Sequence, residues 1–253
     1  MDMANRMDTW TTSISSISSD DIRIRGVSLG ELIGSASFAE VAYLALTGNR
    51  GSEGHHRVLD AILVAIVDHG ISPSVTVARM MASYGSPIQA GLAAGVLTVG
   101  DNHAGACQQL AHEMRAAVAP GASEEEIEAA ANRLVEGARN DGRRIHGFGH
   151  PQHGEDPRAR WLNAVAIEEG VFGTYSTLAA GIEQAISVRS GRKVPINIDG
   201  ICAALILDLG VPPEASRGVI AISRMVGLTA HYVEEQLSGT RWRHVPEEWV
   251  TYE

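Results

Sequence analysis

Three short stretches of this 253-residue chain bring histidine, aspartate and glycine together where a helical pattern is broken: Gly-Asp-Asn-His-Ala-Gly-Ala (100–106), His-Gly-Phe-Gly-His-Pro (146–151) and Pro-Ile-Asn-Ile-Asp-Gly (195–200). Imidazoles and carboxylates held on glycine-rich loops suit general acid–base work near neutral pH. A lone histidine beside glycines is more often a capping or hydrogen-bonding residue, so the weight rests on His103, His150 and Asp199 taken together. Asp199 also reads as a helix N-cap ahead of Gly200 to Leu209, a role aspartate commonly fills. His146, His150 and His153 with Glu155 and Asp156 have spacings that permit zinc or iron. The glycines and Pro151 make that segment a turn, however, not a helix presenting ligands at i and i+4.

The elements that must carry these loops are mostly helices. Ser37 with Glu40 and Ser123 with Glu126 have capping-box spacing, and the second opens a helix with Ile127, Ala130, Ala131, Leu134 and Ala138 on one face and acids on the other. Residues 58–68 are apolar nearly all round, which predicts an inner helix. Gly91 and Gly95 lie four apart in an alanine-rich helix and would admit a close neighbour. Ile201 to Leu209 stops at Gly210 before Pro212 and Pro213, a new start falls near Glu214, and two further helical segments run to about Leu237. Alternating isoleucines between Thr11 and Gly26 predict one short β-hairpin. The first ten residues have no clear pattern and are expected to be loose. The fold class is mainly α.

Composition narrows the function. Hydrophobic residues make up 45% and aromatics 5%, so the core is built from Ala, Val, Ile and Leu. The formal charge of −10, with no long basic run, argues against nucleic acid as a partner. The longest apolar stretches fall short of the ~20 residues a bilayer-spanning helix requires, so no membrane partner is expected. Two cysteines, Cys107 and Cys202, and no signal-peptide pattern predict a reducing, cytoplasmic setting.

In order and spacing the three loops resemble the active-site segments of the citrate synthase superfamily. The resemblance extends from about Thr11: Arg25-Gly26 with Leu32 is similar to the family's entry hairpin, Glu40 to Leu44 with Leu46-Thr47-Gly48 to its first core helix, and Asp68-His69-Gly70 and Asp156-Pro157-Arg158 to further family segments. Within the superfamily, Gly95 to Asp101, Ile196 to Gly200, Gly227 with Ala230-His231-Tyr232, and Trp242-Arg243-His244 resemble the citryl-CoA lyase module of ATP-citrate lyases. Two features depart from that pattern. Ala104 replaces the glycine usual after the first histidine, and His103 is retained as in synthases.

The resemblance implies a citrate synthase-like multi-helical fold with a large and a small helical domain, the small one inserted at roughly 140–220 of a unit spanning 11–253. It implies Asp199 as the base at the thioester α-carbon, His103 as donor to the thioester oxygen and His150 at the oxygen of the keto acid. It further implies His69, Arg158, Arg224 and Arg243 as carboxylate-binding residues, Arg192, Lys193, Gly105 and Ala106 as the coenzyme A site, with Arg143-Arg144 a weaker candidate, no metal, no tightly bound cofactor, and a homodimer or higher homo-oligomer. The expected activity is cleavage of a citryl-CoA-like thioester to acetyl-CoA and oxaloacetate. The alternatives are condensation by a citrate or 2-methylcitrate synthase, and a non-catalytic homologue that binds coenzyme A.

Overall fold

The computed structural model describes residues 10–149 and 154–253. The expected looseness of the N-terminus concerns positions that, apart from Trp10, lie outside this range. Three short strands, β1 (Ser15–Ile17), β2 (Ile22–Ile24) and β3 (Val27–Ser28), form an antiparallel sheet in chain order, with Ser15 opposite Ile24 and Arg23 opposite Ser28. The hairpin read from the sequence therefore gains a third strand. Arg25 and Gly26 turn the chain at positive φ (50° and 84°), a conformation that glycine adopts freely. The Arg25 guanidinium then donates to the Ala45 carbonyl from Nε (3.2 Å) and Nη2 (3.0 Å), fastening the sheet to the helices.

Eleven α-helices follow among the described residues: α1 (Leu29–Ser35), α2 (Phe38–Thr47), α3 (Glu53–Ile66), α4 (Pro73–Ser83), α5 (Ile88–Leu97), α6 (Ala106–Ala117), α7 (Glu124–Asn140), α8 (Pro157–Glu168), α9 (Thr174–Ser190), α10 (Ile198–Asp208) and α11 (Ser216–Leu237). At α7 the capping box is complete. Ser123 accepts from the Glu126 N–H, and the Glu126 carboxylate accepts from the Ser123 N–H. At α2, Ser37 accepts from the Glu40 N–H. The inner helix is α10 rather than α3. Ile201 to Leu207 of α10 are all buried, as an all-round apolar helix must be. In α3 Val58, Leu59, Ile62 and Ile66 are buried and Ala61, Leu63 and Ala65 half-buried against the core, while Val64 faces outward with Asp60 and the polar first turn.

Helix α10 packs against α6, α8 and α9, with α7 on the far side of α9. A smaller cluster of Val75, Ala78 and Leu228 joins α4, α5 and α11. The paired glycines of α5 serve this cluster. A Cβ on Gly91 would lie 2.5 Å from the Tyr232 ring, and one on Gly95 3.0 Å from the Ser74 carbonyl oxygen. In place of two helical segments at the end, a 3₁₀ turn (Pro213–Ala215) leads into one unbroken 22-residue helix, α11. The breakers Pro212 and Pro213 precede it and nothing inside it interrupts the ladder.

α11 crosses the loop after α3 at Gly227, where a Cβ would sit 2.3 Å from the Val67 carbonyl oxygen. Backbone cannot yield there as a flexible side chain would, so Gly227→Ala is expected to destabilise by about 1–3 kcal/mol. A thermal melt reads this as a fall of roughly 2–4 °C per kcal/mol. An unchanged melt would mean that the two segments do not meet so closely.

Candidate active site

The second and third loops are zipped together. Gly149 N–H donates to the Pro195 carbonyl (2.7 Å), Asn197 N–H to the Gly147 carbonyl (3.0 Å), and Asn197 Nδ2 to the Gly149 carbonyl (2.7 Å). Gly147 has φ +85°, and a Cβ there would fall 2.6 Å from Gly200 Cα, so only glycine lets the loop lie on the first turn of α10. Residues 147–149 are thus laid along the start of α10, where Asp199 sits. His150 itself lies outside the described residues, with Pro151, Gln152 and His153. Among the described residues no three His, Cys, Asp or Glu side chains gather as metal ligands.

Asp199 stands inside the first turn of α10. The N-cap is Asn197, whose Oδ1 accepts from the N–H groups of Asp199 (3.0 Å) and Gly200 (3.2 Å). The capping reading of Asp199 is therefore corrected: asparagine two residues earlier satisfies the helix end, and the aspartate side chain is left for other work. Burial pushes the Asp199 carboxyl above the usual carboxylate range, and neighbouring Asp156 pushes the same way. The cations Arg158 and Arg224, with His146, pull against that rise without cancelling it. Asp156 is fully enclosed. Its Oδ2 accepts from the Ile198 N–H (3.0 Å) and from Arg158 Nη2 (2.9 Å), and its Oδ1 from Arg158 Nε (3.0 Å), so one carboxylate ties the starts of α8 and α10 together.

His103 sits in a tight turn closed by reciprocal backbone hydrogen bonds, Gly100 N–H to His103 O (2.9 Å) and His103 N–H to Gly100 O (3.0 Å). Ala104 follows at φ +58°, a left-handed conformation uncommon for alanine. His103 Nε2 lies 3.3 Å from Ser74 Oγ, a buried hydroxyl in the first turn of α4. Burial lowers the His103 pKa and the Arg224 cation lowers it further. The imidazole is therefore held neutral near pH 7, able to donate one N–H. Ser74 was not foreseen in the sequence, where it looks like one more serine at a helix start.

Arg224 is buried, and among the described residues its Nη1 has no hydrogen-bond partner. A guanidinium in that state costs free energy until an acceptor arrives. It feels the charges of Asp68, Arg158 and Asp199. His69 lies in the loop between α3 and α4, beside Asp68, which accepts from the Gly70 N–H (2.9 Å) and pairs with His231 Nε2 (3.1 Å). Arg243 is engaged elsewhere. Its Nη2 donates to Glu235 Oε2 (3.0 Å) and its Nε to Oε1, and Glu235, wholly buried, also binds Arg79 Nε (2.6 Å). Arg79 Nη1 reaches His231 Nδ1 (3.1 Å), so a chain of polar contacts runs from Arg243 through Glu235, Arg79 and His231 to Asp68.

A cleft of about 850 Å³ opens along the zipped loops, sharing Phe148, Gly149 and Pro195 with them. Arg139, Arg143, Arg144, Arg189, Arg192 and Lys193 line it, a concentration of positive charge in a chain whose net charge is −10. Arg143 pairs with Glu113 (2.8 Å) and Lys193 with Glu155. Sequence reasoning reached four of these cations but missed Arg139 and Arg189. Their signal was basic charge in the last turns of α7 and α9, where it also complements the helix dipole and so draws no attention. Gly105 and Ala106 start α6 beneath the His103 turn and do not line this cleft.

Residues 45–244 match the family described as "Citrate synthase, C-terminal domain". The chain is 31% identical over 193 residues to "Putative citrate synthase 2" of Mycobacterium tuberculosis, which covers 73% of this chain and 49% of that protein. It thus spans about half the length of that relative. The solved structure of citryl-CoA lyase from Hydrogenobacter thermophilus is similar with a TM-score of 0.87 and 30% identity, covering 96% of this chain and 94% of that one. ATP citrate lyase from Methanothrix soehngenii, solved with citrate and coenzyme A, shares the fold (TM-score 0.83, 22% identity, 97% of this chain and 42% of that one).

Proposed function

Because this chain belongs to the citrate synthase family, we propose that it cleaves a citryl-CoA-like thioester to acetyl-CoA and oxaloacetate. The observation that carries the reading is the basic cleft that shares Phe148, Gly149 and Pro195 with the zipped loops, together with the half-buried Asp199 carboxyl, held above its ordinary pKa, four residues after Pro195. Phosphates of a coenzyme A ester suit the arginines of the cleft, whose planar forks bind them in pairs of hydrogen bonds. The similarity to a lyase of almost the same length supports cleavage over condensation.

In this reading His150 takes the proton of the tertiary hydroxyl and the carbon–carbon bond breaks, releasing the keto acid. The electron pair is left on the thioester as an enolate, whose oxygen the neutral N–H of His103 stabilises. Asp199, protonated, returns a proton to carbon. Its raised pKa suits it to hold that proton, and the same parts run backwards for a condensation, the reading that the synthase relatives favour. Arg224, Arg158 and His69 receive the carboxylates, and Arg192 and Lys193 belong to the phosphate site. Gly105 and Ala106 serve by letting the thioester approach. Arg243 meets substrate only if assembly of a homodimer or higher oligomer redirects it from Glu235. The segment around 140–220, which carries Asp199 and most of the cleft lining, acts as the smaller closing unit. The setting is cytoplasmic, in keeping with two buried free thiols and with no described helix long and apolar enough to cross a membrane.

The test is to offer the purified protein citryl-CoA and its close analogues and to measure acetyl-CoA and keto acid. Release of both in equal amounts supports the lyase; no turnover of any ester removes it, and condensation of acetyl-CoA with oxaloacetate alone favours the synthase. Reversing two cleft charges, Arg144→Glu with Arg192→Glu, is expected to raise KM for the ester roughly tenfold or more at low salt, with kcat little changed. An unmoved KM would show that the phosphates bind elsewhere.

A further inference from the structure

We propose that Arg217 is a positioning residue for His103, locking the turn that presents this imidazole onto the same helix that carries Arg224. The inference rests on the functional reading above for its catalytic meaning, but on geometry for the lock itself. Arg217 lies in the first turn of α11 and donates from Nη2 to Asp101 Oδ1, across 116 residues of sequence. Asp101 is two residues before His103, within the turn closed by the Gly100 and His103 backbone pair. Arg217 foremost holds the Asp101 carboxyl below its usual range.

The guanidinium does more than pair. A Cβ on Gly105 would lie 2.8 Å from Arg217 Nη2 and 2.4 Å from the Gly100 carbonyl oxygen, so the side chain fills the space directly under the turn. Its Nε is enclosed without a hydrogen-bond partner among the described residues, the cost of a position taken for packing as well as charge. Next to it Ser216 is wholly buried beside Cys107 of α6, which seats the base of the clamp against that helix. Arg217 and Arg224 are two helical turns apart and share a face of an unbroken helix. The imidazole that meets the thioester oxygen and the guanidinium that awaits a carboxylate are thereby held on one rigid rod.

The test uses the full-length protein with Arg217→Gln, Asp101→Asn and the double variant, each checked for an unchanged fold by circular dichroism. Two readouts need no turnover. Amide hydrogen exchange at 101–105 is expected to quicken about tenfold or more in both single variants, with no further gain in the double, as for partners in one contact. The His103 ring, assigned by NMR against His103→Gln, is expected to titrate at higher pH in both variants, because a loosened turn hydrates the imidazole. Simple charge removal gives the opposite pattern: losing the Arg217 cation raises that pKa and losing the Asp101 anion lowers it. Opposite shifts, or unchanged exchange at 101–105, overturn the proposal. With active enzyme, kcat should fall about tenfold while KM for the ester stays within about twofold, and Arg217→Lys should recover part of the loss. A wild type without turnover would sink the proposed activity and leave the exchange and titration readouts to decide the clamp.

Discussion

Asp199→Asn is expected to abolish turnover and, at neutral pH, to raise the melting temperature. The carboxyl is half-buried and its pKa is raised, chiefly by desolvation. A carboxyl whose folded pKa exceeds its unfolded one contributes stability that is fully present below the unfolded value and is lost as pH climbs through the folded value. Above that window the carboxyl therefore burdens the fold, because the unfolded chain releases its proton more readily than the folded one. Asparagine keeps the shape and never ionises, so the variant should melt higher than wild type above that window and alike below it. In the proposed mechanism turnover depends on the same group as the proton carrier to carbon, and such groups contribute roughly 10² to 10⁴ in rate. A variant that loses rate and also stability across the whole pH range would place Asp199 among structural acids instead. In the condensing direction the acid limb of the rate profile should lie above the usual carboxylate range, for the same physical reason.

Arg224→Gln is expected to weaken binding of the dicarboxylate product by about 2–5 kcal/mol, the cost of leaving a buried charge unmatched. That is on the order of thirtyfold to several thousandfold in Kd. The basis is an enclosed guanidinium with an unsatisfied Nη1, surrounded by Asp68, Arg158 and Asp199. Arg224→Lys should not restore the affinity, since a point charge cannot reproduce a planar fork. Calorimetry with oxaloacetate, and separately with coenzyme A, reads the result. Coenzyme A should bind as before, because the cleft proposed for it is built from α7, α9 and the loops around 143–149 and 190–195. Equal loss of both ligands would point to a collapse of the fold, and no loss of either would remove Arg224 from the site.

Much of this arrangement was legible locally. The three loops announce themselves because glycine, histidine and aspartate break a helical pattern, and α7 is written in its capping box and its alternating faces. What was not legible depends on pairs distant along the chain. Arg79 finds Glu235 across 156 residues, Arg217 finds Asp101 across 116, and Ser74 meets His103 from a different helix. None of these has a spacing that a short window can detect, since the packing of α11 against α4, α5 and α6, and of α4 against α5, creates them. The N-cap of α10 was misassigned for a different reason. Asn197 and Asp199 are both good caps, and only the extended backbone at Asn197 decides between them. The inner helix was misjudged because α3 and α10 are both apolar runs, and a run does not state how many neighbours will cover it.

The burial of α10 on every side carries a lesson about how such a protein can change its repertoire. Any replacement along Ile201 to Leu207 disturbs packing on several helices at once, so the backbone that bears Asp199 has almost no room to drift. The surface with more room to vary is the rim of the basic cleft, where Arg139, Arg143, Arg144, Arg189 and Arg192 lie outside the core cluster. New acyl groups or new carrier esters would therefore be won at the margins, by descendants that inherit Asp199 unchanged.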